Sequence, residues 1–294
     1  MIVALNGSVK DASEAVISVY DHGFLYGIGL FETFRTYKGK PYLLDRHLSR
    51  LHSGCEQLGI TYRADLDGIT ALVRELLAAN GLEDGYVRLT VSAGEGELGL
   101  PAGDYEQPSE LLLVKALPAV SEAAHLRGKE LRLLRTLRNT PEGETRFKSL
   151  QYMNNIIAKR ELLASGASPG AEGVMLSRDG WLTEGIVSNL FFVQAGVVYT
   201  PSIATGILPG ITRAKVLELA RETGYETKEG LYSWERLLES DEIWLTNSIQ
   251  ELVPVTSLTD MDGRSTAIGP SEAGPITKRL LSLYRETTKY KEQL

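Results

Sequence analysis

The stretch Leu30–Tyr37 alternates in polarity and is rich in β-formers, and Lys38-Gly39-Lys40 then turns the chain into Pro41–Leu44. This is a hairpin signal, and strands joined by so short a turn run antiparallel. Helical signals follow at once. Asp45 is placed to cap a helix whose apolar positions are Leu48, Leu51, Cys55 and Leu58, with Gly59 ending it. A second helix carries Leu66, Ile69, Leu72, Val73, Leu76 and Leu77, and Gly81 stands where a helix-ending glycine is expected. Ile2–Leu5, closed by Asn6-Gly7, and the stretches Tyr86–Ala93 and Glu110–Ala116 read as further strands. The fold class expected of this third of the chain is α+β.

The chain has 294 residues, and at about 150 residues per domain that suggests two domains. Composition shifts over Ala116–Gly128, which holds Pro118, Ser121, several alanines and His125. The expected division is a small N-terminal domain over 1–117, a linker over 118–128 and a larger domain over 129–294. The second domain opens with a strand over Glu130–Leu137 and the loop Arg138–Glu144. A helix follows over Ser149–Ala164, by the spacing of Leu150, Met153, Ile156, Ile157 and Leu163. Three strands hinge at Asp179-Gly180 and Ala195-Gly196. Then come a helix over Thr212–Thr223, a short strand over Ile243–Thr246 and a terminal helix over Ile276–Tyr290.

Composition excludes several classes. Lys plus Arg number 31 and Asp plus Glu 38, a formal net charge of −7. Such a chain is a poor partner for nucleic acid or anionic lipid. With 43% hydrophobic and 23% charged residues it is neither disordered nor fibrous. Cys55 is the only cysteine, so no intrachain disulfide forms. The apolar run Met1–Leu5 is short and no basic segment precedes it, which predicts no signal peptide. No run approaches the ~20 apolar residues of a membrane span. A cytoplasmic protein is expected.

Familiar motifs fail. Gly94-Glu95-Gly96-Glu97-Leu98-Gly99 spells a dinucleotide fingerprint but meets Pro101 and Gly103 instead of opening a helix. His22, His47, His52 and His125 show no metal-ligand spacing, so no metal is expected. Three features stand out instead. Gly206-Ile207-Leu208-Pro209-Gly210-Ile211-Thr212 precedes a helix, and is either a phosphate cradle or a plain helix start capped by Thr212. Lys148 is either solvated or an amine whose proton affinity is lowered by Arg138, Arg146 and a helix start. Glu184, inside an apolar strand, is either on a wet face or paired with a buried cation.

Taken in order, these segments resemble the class IV, fold type IV, pyridoxal-phosphate enzymes, which include branched-chain and D-amino-acid aminotransferases and 4-amino-4-deoxychorismate lyases. The carriers are Tyr26-Gly27-Ile28-Gly29-Leu30-Phe31-Glu32, His47-Leu48-Ser49-Arg50-Leu51, Arg146-Phe147-Lys148-Ser149, Thr183-Glu184-Gly185 with Ser188-Asn189, Leu208-Pro209-Gly210-Ile211-Thr212-Arg213, and Thr246-Asn247-Ser248. The resemblance implies a small α+β domain beside a larger pseudo-barrel domain, with pyridoxal 5′-phosphate between them, in a homodimer. It implies that Lys148 takes the cofactor's aldehyde and shuttles the proton, and that Glu184 faces the pyridine nitrogen. Arg50, Ile211, Thr212 and Thr246 correspond to phosphate ligands, with Asn247 beside them. Tyr152, one helical turn after Lys148, corresponds to a partner of the phenolic oxygen, and Asn189 to a residue ordering the strand of Glu184. Tyr26 and Arg88 correspond to substrate-binding positions.

The pocket must separate the activities. D-amino-acid aminotransferases hold a carboxylate with an arginine where this chain has Ala93, which counts against that reading. Branched-chain enzymes read Phe-Glu-Gly where this chain reads Phe31-Glu32-Thr33, and the threonine resembles the lyases. Thr33 shares a strand face with Phe31, Arg35 and Tyr37. It is either a proton relay to a departing enolpyruvate or an ordinary strand residue. The implied activity is conversion of 4-amino-4-deoxychorismate to 4-aminobenzoate and pyruvate, a step of folate biosynthesis. The alternative is transamination of branched-chain or D-amino acids.

Overall fold

The computed structural model describes residues 1–119, 122–269 and 271–289. Part of the expected linker (120–121), residue 270 and the end of the expected terminal helix from residue 290 lie outside them. The chain forms two compact units, one of Met1–Pro118 with Phe147–Gln151, the other of Ala119–Arg146 with Tyr152–Leu294.

In the first unit the strands are β1 (Ile2–Leu5), β2 (Ser8–Asp11), β3 (Gly29–Tyr37), β4 (Lys40–Pro41), β5 (Tyr86–Ser92) and β6 (Ser109–Lys115), and the helices are α1 (His22–Tyr26), α2 (Leu44–Gln57) and α3 (Leu66–Ala79). The strands form one antiparallel sheet in the order β2-β1-β6-β5-β3-β4. Strand alternation sorts the side chains. Leu30, Phe34, Val87, Leu89, Val91, Leu112 and Val114 meet Leu48, Leu51, Val73 and Leu76 of the two longer helices in a closed core. Asp65 caps α3 by accepting from Gly68 N at 2.7 Å. Asp45 does not cap α2. That helix starts at Leu44, two residues earlier than a cap at Asp45 implies, after Leu43 in the left-handed region (φ 53°), and Asp45 sits in its first turn, where an acidic side chain suits the helix dipole.

Two glycines of the failed fingerprint, Gly94 and Gly96, have packing roles. A Cβ at Gly94 would lie 2.0 Å from the carbonyl oxygen of Gln107, and its φ of +83° is left-handed. The segment is a connection between β5 and β6.

The second unit contains α4 (Glu122–Arg127), β7 (Lys129–Leu133), α5 (Met153–Ala164), β8 (Glu172–Leu176), β9 (Leu182–Gly185), β10 (Asn189–Gln194), β11 (Val197–Pro201), α6 (Ile211–Glu222), β12 (Thr227–Gly230), α7 (Trp234–Leu238), β13 (Glu242–Asn247), β14 (Glu251–Thr259), β15 (Ser265–Ala267) and α8 (Pro275–Thr287). The mixed sheet runs β12-β11-β10-β13-β14-β7-β8-β9, with β15 on β14. It curls so that its last strand, β9, comes back beside β10. The half-barrel this makes encloses Leu131, Val174, Leu190, Phe192, Leu245 and Val255.

One expectation fails here and one strand, β14, was not foreseen. The helix expected from Ser149 begins only at Met153. Residues before it are taken by a strand edge instead: Phe31 N donates to Lys148 O at 2.8 Å and Leu150 N to Gly29 O at 3.0 Å. The apolar positions that suggested the helix face outward, with Met153 73% and Ile156 55% exposed, while Asn155, Ala158 and Leu162 are buried. The central strand β14 gave no clear signal because Pro254 interrupts it. In the sheet Pro254 lies one residue ahead of the first β7 pairing, Val255 with Lys129, so its missing N–H costs that ladder nothing. Among the described residues no helix is long and apolar enough to cross a membrane.

Candidate active site

Thr33 lies opposite Arg88 in the β3–β5 ladder, on the sheet face away from α2 and α3. Cross-strand pairing puts Phe31 and Arg35 on the same face. Lys148 runs alongside β3, half-buried, and its Nζ lies 4.6 Å from the centre of the Phe31 ring. The Arg88 guanidinium lies 3.6 Å from the same ring and steadies itself on Thr90 Oγ1 at 3.1 Å. Both cations thus lie within cation–π reach of one aromatic ring. Tyr26, at the end of α1, is 41% exposed, and its hydroxyl accepts from Gly99 N at 2.8 Å.

Arg50 faces the other side of β3. Its Nε and Nη2 grip Glu32 at 2.7 and 2.6 Å, and His47 Nδ1 meets the same carboxylate at 2.6 Å. Burial is the largest influence on Glu32 and opposes its charge, but Arg50 and His47 overcome it and hold the carboxyl at about 2. Burial pushes His47 down, against the pull of Glu32.

In the second unit Glu184 projects from β9 and is 5% exposed. The wet-face reading is excluded. Oε1 accepts from Arg138 Nε at 2.9 Å, with Arg146 Nε at 3.9 Å. Oε2 accepts from Asn189 Nδ2 at 3.2 Å and Leu208 N at 3.0 Å. The two arginines that sequence reasoning set against Lys148 serve this carboxylate instead. Burial, then the neighbouring Arg138, push the Arg146 guanidinium down to about 10, against Glu184 and Glu142. A carboxylate with this many donors is fixed in direction.

The helix expected from Thr212 starts at Ile211, with Gly210 as its cap and no side chain bonding its first N–H groups. Thr212 is inside the first turn, so it is not the cap. Asn189 also donates to Leu208 O at 3.0 Å, and a Cβ at Gly210 would fall 1.9 Å from Asn189 Oδ1, so only glycine permits this approach. Thr246, near the end of β13, is 1% exposed and its buried hydroxyl has no hydrogen-bond partner. Thr212 Oγ1 lies 3.4 Å from Ser248 Oγ. Asn247 spends its side chain on the following turn, accepting from Ile249 N at 3.0 Å and Gln250 N at 2.8 Å. Tyr152 is the cap residue just before α5, with non-helical residues between it and Lys148, so helical periodicity does not relate the two.

The model of the class IV amino-transferase family matches residues 29–258. The chain belongs to this family. It is 41% identical over 290 residues to the aminodeoxychorismate lyase of Bacillus subtilis, covering 98% of this chain and 95% of that one. It is 30% identical to the D-alanine aminotransferase of Bacillus licheniformis, over 95% and 94% of the two chains. Its fold superposes on the branched-chain amino acid aminotransferase of Escherichia coli with a TM-score of 0.86 and 26% identity, over 99% and 96% of the chains. It is thus a class IV enzyme of fold type IV.

The cofactor implied by the class IV family, pyridoxal 5′-phosphate, asks for an amine, an acid and a phosphate cradle. The first N–H groups of the 12-residue α6, with no side chain capping them, and the orphaned buried hydroxyl of Thr246 have the chemistry such a cradle requires. Glu184 is a buried, oriented carboxylate, and Lys148 is a half-buried amine beside an aromatic ring. The residues fit the group. Sequence reasoning missed Glu32 as an ionic anchor. Its signal was there: a glutamate on the apolar side of an alternating strand, with His47 and Arg50 three apart on the next helix.

Proposed function

We propose that the enzyme is a pyridoxal-phosphate-dependent lyase that converts 4-amino-4-deoxychorismate to 4-aminobenzoate and pyruvate. The observation that carries the reading is Thr33 in register with Arg88, on the face where Lys148 lies over Phe31. The 41% identity to the Bacillus subtilis lyase supports it.

The bound cofactor supplies an electron-withdrawing ring that stabilises negative charge at the carbon carrying the substrate amine. Lys148 would supply the amine that holds the cofactor's aldehyde, and its Nζ, freed when the substrate amine displaces it, would remove the proton from that carbon. Glu184 would face the pyridine nitrogen of the bound cofactor and keep a proton there. Asn189, Arg138 and Leu208 N hold that carboxylate in place. Arg50, the N–H groups of Ile211 and Thr212, and the Thr246 hydroxyl would hold the phosphate, while Asn247 shapes the turn after Thr246. Tyr152 serves the phenolic oxygen. Arg88 steers a substrate carboxylate, with Tyr26 at the pocket rim. The Thr33 hydroxyl gives a proton to the ether oxygen as enolpyruvate leaves the neighbouring ring carbon. Aromatisation of the ring then drives the step forward.

The same activation also serves transamination, and the likeness to the Escherichia coli branched-chain enzyme favours that second reading. A pair of assays separates them. One supplies 4-amino-4-deoxychorismate and follows 4-aminobenzoate fluorescence. The other supplies L-leucine or D-alanine with 2-oxoglutarate or pyruvate. The lyase reading expects the aromatic product, and efficient transamination without it overturns the reading. A cytoplasmic homodimer completes the proposal. The exposed apolar residues Val16, Val19 and Phe24 in the first unit, and Met153, Ile156 and Ile157 in the second, support a second copy as partner.

A further inference from the structure

Glu32 occupies a position that strand alternation assigns to the core. Its neighbours on that side of β3 are Leu30 and Phe34, each no more than 3% exposed, and Glu32 itself is 1% exposed. Burying a carboxylate there is costly, and an ion pair so placed gains little over apolar packing. Stability alone therefore gives poor reason for the arrangement. The pair is also asymmetric: the side chains of Glu32 and His47 are 1% and 2% exposed, whereas that of Arg50 is 17% exposed. The carboxylate is fixed in the core and the guanidinium reaches the edge.

The grip is side-on. Nε and Nη2 of Arg50 take one carboxylate oxygen each, at 2.7 and 2.6 Å, which sets the plane and direction of the guanidinium. His47, one turn earlier on α2, approaches the same carboxylate at 2.6 Å, and its ring is backed by Phe34 with centroids 5.4 Å apart. The charged or titratable groups around Glu32 are thus Arg50 and His47 from α2, with Lys148 from the segment beside β3 acting on His47.

We propose that Glu32 is a positioning residue, whose carboxylate, braced by His47, aims Arg50 at the phosphate of the cofactor. This rests on the assignment of Arg50 as a phosphate ligand made above. A free arginine side chain gives up substantial rotamer freedom whenever it binds an anion, whereas a clamped one has lost it already.

Two probes test this on the apoenzyme: pyridoxal 5′-phosphate, and pyridoxal, which has the same ring without the phosphate. Dissociation constants are read by fluorescence quenching for the wild type, Glu32→Gln, Arg50→Lys, Arg50→Ala and the double variant Glu32→Gln/Arg50→Ala. The ratio of the two constants isolates the phosphate. Glu32→Gln is expected to weaken the phosphorylated probe roughly tenfold while pyridoxal binds as before. The double variant should be no weaker than Arg50→Ala. Arg50→Lys, which keeps the charge but cannot make the side-on grip, should lose most of the discrimination. Equal weakening of both probes by Glu32→Gln, or no change, overturns the inference while leaving Arg50 as a ligand. If Glu32→Gln fails to fold, wild-type discrimination in Arg50→Lys overturns it equally. An unchanged ratio in Arg50→Ala removes the phosphate assignment itself, and the inference with it.

Discussion

Arg138 Nε donates to Glu184 Oε1 at 2.9 Å, and both side chains are more than nine-tenths buried. A strand carboxylate and a loop guanidinium 46 residues apart in sequence therefore act as one fixed ionic unit. Its other oxygen is held by Asn189 and Leu208 N.

Glu184→Gln keeps the shape and part of this bonding but removes the charge. Turnover should fall by roughly two orders of magnitude or more, with the cofactor still bound. Steady-state rates and the visible spectrum of the purified variant check this. An unchanged kcat would remove Glu184 from the cofactor's ring nitrogen.

Lys148→Ala should abolish turnover and the visible band that borohydride bleaches in the parent protein. Because Lys148 meets β3 through its backbone carbonyl, the fold should survive. Circular dichroism checks the fold and absorbance the chemistry.

Thr33→Ala should lower lyase turnover by about 100-fold or more, and Thr33→Ser should restore most of it. Product fluorescence with 4-amino-4-deoxychorismate measures both. Equal rates in the two variants would reduce Thr33 to a strand residue.

Thr246→Val tests the orphaned hydroxyl, and its two expected effects have opposite sign. Affinity for pyridoxal 5′-phosphate should drop roughly tenfold, since a donor is lost. The Tm of the apoenzyme should hold or rise, because an unsatisfied buried polar atom becomes a methyl group. A fall in both would mean the hydroxyl has a structural bond.

Acid should act through Glu32. Its carboxyl is lowered from the usual 4.5 to about 2 on folding. The stability it contributes is complete above the unfolded value and is lost as pH falls from 4.5 towards 2. Denaturant titrations at a series of pH values should show a shallower decline over this window for Glu32→Gln than for the parent chain.

Much of this was legible from residue order. The run from Leu66 to Leu77 and Gly81 delimit α3 because helical period and the helix-ending glycine are local properties. The Gly210-Ile211-Thr212 helix start was legible for the same reason. What escaped depended on partners distant in sequence. Residues 149–151 continue a helical pattern, but backbone groups of Gly29 and Phe31 claim that segment. Pro254 argues against a strand until its neighbours are known. The pairing of Arg138 and Arg146 with Glu184 needs the curl of a sheet that no local window contains. Glu32 was visible as part of a motif, while its meaning lay with side chains on the next helix.

β13 has a second anchorage at its opposite end. Glu242, its first residue, is 7% exposed and accepts from Ile276 N at 3.0 Å and Thr277 N at 2.8 Å, the opening amides of α8. The terminal helix thus latches the strand that presents Thr246. Cutting the chain before Pro275 would strand the Glu242 charge indoors and slacken that strand from behind. A deletion remote from any chemistry would then register as leakage of vitamin B6.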